Sequence, residues 1–361
     1  MNSTIVIDNI VYPGQIMGGI SLVFYELTKR LLQDNRFEVS FVDRKDSKIN
    51  YYYNLLGIKE SQIISYSKLP YVLDCFMNPK LFIKNKYIFH SSYYRLSRDS
   101  NAINVTTVHD FTYEHVFKKN IKYYAHVWQQ EWAVRHSEAI ICISENTKKD
   151  LFHYYKNIDP NKVFVVYNGV SEEYRVLNNF DTHKLPFEKG TYCVFVGGRY
   201  HYKNFDYAVK SVAKTNMNLV IVGSKLTGEE CQFLNTELGE TRYSILSNIP
   251  NKELNIIYNG AHCLLYLSSY EGFGIPCVEA QKAGCPVIAY NASSIPEVVC
   301  DASLLVDDLD PVVISRKINE LSDLEYRQNI IDKGIAFAKK FSWDRNYEQI
   351  SEIYKKLLAR R

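Results

Sequence analysis

The 361-residue sequence has no apolar run approaching the ~18 to 20 residues that a membrane-spanning helix requires. Its eight cysteines, at positions 75, 142, 193, 231, 263, 277, 285 and 300, include no C-x-x-C pair, so the usual dithiol and zinc spacings are missing. Cys142, Cys193 and Cys263 fall inside apolar runs, where a small buried thiol is the default, and a reducing cytoplasm is the simplest compartment. The opening Met1 to Asp8 has no basic leader before its apolar residues and reads as a first strand, not a signal peptide. No cluster of His, Cys or carboxylates suggests a metal site, and no basic run is long enough to suggest nucleic acid. Net charge is only +3. Residues 1–180 carry 22 Lys and Arg against 18 Asp and Glu, whereas the remainder carries 21 against 22. That mild bias fits either a solvated mixed-charge face or peripheral contact with an anionic lipid surface.

What is present is a globular composition, 46% hydrophobic and 23% charged, in a chain long enough for two domains. Short apolar runs alternate with amphipathic stretches, the pattern of parallel sheets with crossover helices. Strands are expected at Thr4 to Ile7, Glu38 to Val42, Tyr87 to His90, Asn104 to Val108, Ala139 to Ile143 and Val163 to Val166. A second series is expected at Tyr192 to Val196, Leu219 to Val222, Tyr243 to Leu246, Cys263 to Leu267, Val287 to Ala289 and Ser303 to Val306. The polar, turn-rich stretch between them gives a division into an N-terminal α/β domain (1–176), a linker (177–190) and a C-terminal α/β domain (191–341). A final helix (342–361) follows, with Tyr347, Ile350, Ile353, Tyr354, Leu357 and Leu358 spaced for one buried face.

The most informative segment is Ser268-Ser269-Tyr270-Glu271-Gly272-Phe273-Gly274-Ile275-Pro276-Cys277-Val278-Glu279-Ala280. An apolar strand leads into glycines that let the chain turn; Pro276 suits the first turn of a helix and Gly284 its exit, so a helix is expected over 276–283. Its free amides and positive dipole end suit an anion such as a phosphate, with Glu271 beside it. Glu279, one turn into the helix, suits neutral hydroxyls. A two-carboxylate glycosidase is disfavoured, though weakly, because eight helical steps set the backbones about 12 Å apart, against roughly 5 to 9.5 Å between hydrolase carboxyl groups.

Other strand ends also carry polar chemistry. Strand Tyr192 to Val196 runs into Gly197-Gly198-Arg199-Tyr200-His201-Tyr202-Lys203-Asn204, whose cations could stabilise a departing diphosphate. Strand Asn104 to Val108 runs into His109-Asp110, where an imidazole could meet a sugar hydroxyl. Gly18-Gly19-Ile20-Ser21 precedes an amphipathic helix expected to begin near Leu22, with Ser21 as its cap. Ser144-Glu145-Asn146-Thr147 and Tyr167-Asn168-Gly169 fit ordinary capping and turning. Asp308-Leu309-Asp310 spells a metal-binding Asp-x-Asp string, but its place before Pro311 reads as a helix cap.

The Glu271 to Ala280 segment, continued through Ala283-Gly284-Cys285-Pro286-Val287 and Ser294-Ile295-Pro296-Glu297, resembles the donor-site signature of the retaining glycosyltransferases of family 4. The resemblance implies a GT-B fold: two Rossmann-like domains with parallel sheets facing across a cleft, the last helix crossing back to the first domain. It implies donor contacts at Gly18, Gly19, Gly198, Arg199, Lys203, Glu271, Gly272, Phe273, Gly274, Ile275 and Glu279, with His109, Glu271, Lys203 and Arg199 near the reacting centre. Asp110 would meet the acceptor. Arg199 stands four residues before Lys203 where many members place it five before, and Gly198 holds that earlier position. No metal or other cofactor is implied; the nucleotide-diphosphate sugar is a substrate, and the acceptor would be a saccharide or lipid-linked saccharide. The Tyr202 to Phe205 stretch is similar to mannosyltransferases, pointing first to a GDP-sugar in surface polysaccharide (O-antigen or capsule) synthesis and leaving UDP open. A cytoplasmic enzyme, peripheral on the inner membrane face, would follow. The alternatives are a nucleotide-sugar epimerase or hydrolase on the same scaffold and a non-catalytic sugar-binding subunit.

Overall fold

The computed structural model describes residues 3–67, 69–301 and 304–359. The chain divides into two compact units, one formed by residues 1–169 and 343–361 and the other by residues 170–342.

The first unit holds strands β1 (Ser3–Asp8), β2 (Phe37–Asp43), β3 (Ile63–Tyr66), β4 (Tyr87–Ser91), β5 (Ala102–Val108), β6 (Ala139–Cys142) and β7 (Val163–Val165). They form one parallel sheet in the order β3-β2-β1-β4-β5-β6-β7. Its helices are α1 (Gly19–Gln33), α2 (Tyr51–Leu56), α3 (Tyr71–Asp74), α4 (Thr112–Val116), α5 (Ile121–His136) and α6 (Glu145–Tyr154). The unexpected strand is β3, a four-residue edge strand whose Ile63-Ile64-Ser65-Tyr66 is too short to show alternation.

The second unit holds β8 (Tyr192–Val196), β9 (Asn218–Val222), β10 (Tyr243–Leu246), β11 (Cys263–Tyr266), β12 (Val287–Tyr290) and β13 (Leu305–Val306), also parallel, in the order β10-β9-β8-β11-β12-β13. The expected start of β13 at Ser303 lies outside the described residues. The helices are α7 (Phe205–Ala213), α8 (Gly228–Leu238), α9 (Asn251–Gly260), α10 (Ile275–Lys282), α11 (Pro311–Glu320) and α12 (Leu324–Ala338). The strands are apolar along nearly their whole length, as sheets with two covered faces require.

The division differs from the expected boundary at 176/177. Residues 170–177 pack with the second unit because asparagines of α9 bind their backbone: Arg175 and Leu177 donate N–H to Asn255 Oδ1 (3.0 Å) and Asn259 Oδ1 (2.8 Å). Polarity marked this stretch as a turn-rich linker without showing which side chains would hold it.

The last helix, α13 (Trp343–Ala359), belongs to the first unit. Tyr347, Ile350, Ile353, Tyr354 and Leu357 join the core cluster of Ile5, Ile7, Phe24, Leu27 and Phe41. Buried His90 of β4 bonds the Tyr354 hydroxyl through Nδ1 (2.5 Å) and Thr107 Oγ1 through Nε2 (2.8 Å). A buried ionic network fixes the carboxyl ends of β1 and β2: Arg95 reaches Asp8 (2.6 Å) and Asp74 (2.7 Å), and Arg44 reaches Asp74 from the other side (2.7 Å). Removing one member would leave a buried charge uncompensated, at a cost of about 3 to 5 kcal/mol.

Candidate functional site

In the second unit the candidate residues gather where two loops are laced together. After β8, Gly197 takes φ +122°, which only glycine adopts without strain, and its N–H donates to Val222 O (2.9 Å). Residues His201–Lys203 form a 3-10 turn, and Asn204, at φ +53°, caps α7. The Asn204 amide donates to Leu267 O and to Ser269 Oγ, both at 2.7 Å. Ser269 N–H in turn donates to Tyr202 O at 2.7 Å. These bonds clamp the β8–α7 loop to the β11–α10 loop.

That clamp brings Lys203 onto Glu271: the ammonium donates to Glu271 Oε1, with both side chains mostly buried. Lys203 lies 5.3 Å from the Tyr202 ring centroid and 5.7 Å from that of Tyr266. Burial, and then the neighbouring Glu271 carboxylate, hold the Tyr266 phenol well above its usual range. The Glu271 backbone is pinned on both sides, its N–H donating to Ser293 Oγ (2.9 Å) and its carbonyl accepting from Ser294 Oγ (2.8 Å).

Gly274, at φ +98°, caps α10, which starts at Ile275 with Pro276 in its first turn; the helix sits one residue earlier than expected. Glu279 faces inward and is buried. Tyr258 of α9 donates to its Oε2 (3.4 Å), and the Tyr174 hydroxyl can donate either to Glu279 or to Asn251 Oδ1 (3.1 Å). Burial raises the Glu279 carboxyl to about 7, an effect only partly offset by the two phenols. Phe273, expected at the donor, turns its ring into the core against Phe341, centroids 5.6 Å apart; its ring is a packing group. Gly272 is buried and Ile275 half-buried beside it.

Arg199 goes elsewhere. Its guanidinium pairs with Glu230 of α8 (2.6 Å) and donates to the carbonyls of Ser224 (3.1 Å) and Lys225 (2.9 Å). The displaced register relative to Lys203 thus has a structural counterpart in an Arg that braces the loop after β9. A residue at Gly198 would bring its Cβ 2.8 Å from the Tyr200 ring, a movable obstacle.

The first-unit candidates also sit after strands. His109, following β5, is buried, and its Nε2 has no hydrogen-bond partner; burial lowers its pKa to about 4, so the ring is neutral near pH 7. Phe24 lies 6.2 Å from it. Asp110 forms a local turn, accepting from Thr112 N–H (2.9 Å), and its carbonyl accepts from Gln130 (3.1 Å). Gly18, in extended backbone, caps α1, which begins at Gly19. Ser21 is therefore not the cap expected: it lies inside the first turn and donates to Gly18 O (2.9 Å), because the helix starts three residues before Leu22. Ser144 caps α6 through Thr147 N–H (3.0 Å), Tyr167 O accepts from Asn346 (2.9 Å), and Asp310 caps α11 through Val312 N–H (2.8 Å). Among the described residues no group of three His, Cys, Asp or Glu is placed to hold a metal.

Motif reading missed the residues that support these groups. Tyr258 and Tyr174 were invisible because one looks like an ordinary apolar position of α9 and the other sits in the stretch read as part of the first domain. Tyr266 read as a strand residue. The Ser293-Ser294 pair adjoined the quoted Ser294-Ile295-Pro296-Glu297 string, and that proximity was the available signal.

Comparison with known proteins also gives two parts, which meet between residues 174 and 178 rather than at 169/170. Residues 17–174 match the family model described as Glycosyltransferase Family 4, and residues 178–337 match Glycosyl transferases group 1. Over 97% of this chain and 98% of its own length, the O-antigen chain mannosyltransferase B of Escherichia coli is 26% identical. The sucrose-phosphate synthase structure from Thermosynechococcus elongatus superposes with a TM-score of 0.75 over the full length of both chains at 17% identity. The Anabaena protein HepE, solved with UDP and glucose, gives 0.72 at 14% identity over 98% of this chain and all of its own.

Proposed function

From the premise that this chain belongs to the GT-B glycosyltransferases of family 4, we propose that it moves a sugar with retention from a nucleotide-diphosphate donor to a saccharide or lipid-linked saccharide. The Lys203–Glu271 pair, held in the same loop cluster that leads into the helix bearing Glu279, carries this reading. Lys203 is the cation for the diphosphate, whose growing negative charge it would stabilise as the bond to the sugar breaks. Glu271 has one oxygen on Lys203 and serves the hydroxyls of the transferred sugar. Glu279, ringed by phenols, serves the ribose. On the usual course for such transfer the departing phosphate accepts the acceptor's proton, so no side-chain base and no metal is required. His109 and Asp110 take the reacting-sugar and acceptor roles that the family resemblance implies.

The donor we favour is GDP-mannose or a related GDP-sugar, in bacterial surface polysaccharide synthesis. The O-antigen mannosyltransferase alignment supports this over nearly the whole chain; UDP-sugars are the competing class, since the HepE structure contains UDP. Thermal-shift screening against a nucleotide-sugar panel tests the choice, because a specific donor at 100 times its dissociation constant stabilises by about 2.7 kcal/mol. A GDP-sugar should give the largest shift, with transfer to acceptor in a coupled assay. Release of free nucleotide without acceptor would instead indicate a hydrolase or epimerase, and donor binding without turnover a sugar-binding subunit.

A further inference from the structure

The first unit leaves an apolar ridge uncovered. On α5, Ile121 is 85% exposed, Tyr124 60%, Trp128 58% and Trp132 43%. These positions, three or four apart, lie along one side of the helix, while Gln129, Gln130, Ala133 and Val134 are buried on the other. The Trp128 and Trp132 rings stack at 6.0 Å, and Trp132 stacks on His136 at 3.9 Å, so the C-terminal half of the ridge is one stack of rings. A second apolar segment, with Val72, Leu73, Phe76, Met77 and Phe82 exposed, is tied to this helix where Gln129 donates to Cys75 O.

Lysines predominate among the charges bordering this ridge. Lys118, Lys119 and Lys122 flank the start of α5, and exposed Lys80, Lys84 and Lys86 punctuate the second segment, Lys80 lying 4.9 Å from the Phe82 ring. The nearby acids are engaged within the protein: Glu131 with Arg135 (2.6 Å), and buried Asp74 with Arg44 and Arg95. Amphipathic Trp and Tyr rings beside lysines are the combination that settles at a bilayer interface carrying anionic lipid. A second copy of this chain fits less well, since a self-complementary contact would set the lysines against each other.

We propose that this face, α5 with the segment 72–86, docks the protein on the surface of an anionic bilayer, Trp128, Trp132 and Ile121 entering the interface and the lysines meeting lipid phosphates. This goes beyond the donor reading and uses none of its residues. The test is co-sedimentation of the full chain with vesicles of phosphatidylcholine alone and of an equimolar mixture with phosphatidylglycerol. The protein should pellet with the anionic vesicles only, and less so as salt rises. A triple Lys118→Ser, Lys119→Ser, Lys122→Ser variant should bind about fivefold more weakly for each lysine removed. A Trp128→Ser, Trp132→Ser variant should lose most binding. Two of the three tryptophans lie on the ridge and the third, Trp343, is only 4% exposed, so emission should shift to the blue on vesicle binding. Equal binding to both vesicle types, or anionic-vesicle binding unchanged in both variants, would overturn the proposal, as would a dimer that the tryptophan variant abolishes. Both variants should keep the parent's donor-induced thermal shift, so the docking face and the donor reading fail in separate experiments.

Discussion

Lys203 and Glu271 are drawn together by a third residue that touches neither charge: Asn204, whose amide holds Leu267 O and Ser269 Oγ at 2.7 Å and so fixes the spacing of the two loops.

Lys203→Met and Glu271→Gln should therefore be non-additive in stability. Each single change leaves a partly buried charge without its partner, and the double variant removes both. A coupling energy of about 0.5 to 3 kcal/mol is expected from a double-mutant cycle in denaturant. Turnover should fall by orders of magnitude in Lys203→Met with a smaller change in donor affinity; unchanged kcat would refute the diphosphate role.

Replacing Asn204 separates backbone from side chain. Asn204→Gly keeps the left-handed conformation and loses only the amide, whereas Asn204→Ala loses both. Losses of about 1 to 3 kcal/mol for Gly and roughly 1 more for Ala are expected by chemical denaturation. Equal losses would show that backbone conformation contributes nothing here.

Glu279 gives a pH signature. Its folded-state pKa, raised to about 7 by burial against an ordinary 4.5, contributes stability that is complete below pH 4.5 and lost as pH rises through 7. Glu279→Gln removes this dependence, so the variant should gain on the parent between pH 4.5 and 7, by up to about 3 kcal/mol, and then hold its lead. Calorimetric melts across that range check it; a constant gap would contradict it. Hydroxyl donors from a bound ribose would favour the carboxylate, so donor binding near pH 6.5 should release a fraction of a proton, seen as a binding enthalpy that varies with the buffer. Glu279→Ala should weaken donor binding.

Arg199→Met should behave unlike Lys203→Met. With its guanidinium on Glu230 and two loop carbonyls, Arg199 acts on the loop after β9. Its loss should lower thermal stability while reducing kcat far less than loss of Lys203 does; matched reductions would return Arg199 to the diphosphate.

The alternation of apolar runs was enough to place twelve of the strands to within a few residues, because the strands of parallel sheets covered on both faces are mostly apolar. The exception, β3, is short and lies at a sheet edge, where burial imposes little pattern. The glycine turn and the two glutamates were legible because positive φ and helix starts restrict residue choice locally. The supporting tyrosines at 174 and 258 were not, since their meaning depends on contacts between distant parts of the chain: Tyr174 reaches Asn251 from 77 residues away. The pairing of Arg199 was hidden for the same reason, its partner Glu230 lying 31 residues downstream. The start of α1 was misplaced because Ser21 and Gly18 are both acceptable caps, and only the backbone decides between them.

The core of the first unit is completed by α13, whose Tyr354 seals buried His90. On the ribosome this has an order: residues 170–342 are made between the sheet and the helix that covers it, roughly 10 to 35 s at about 5 to 20 residues per second. The second unit can finish folding while the first still lacks the helix that packs on Phe37 and His90. For that interval the earlier-made half of the protein is the later to mature, and the nascent chain offers chaperones a hydrophobic surface that the native protein does not have.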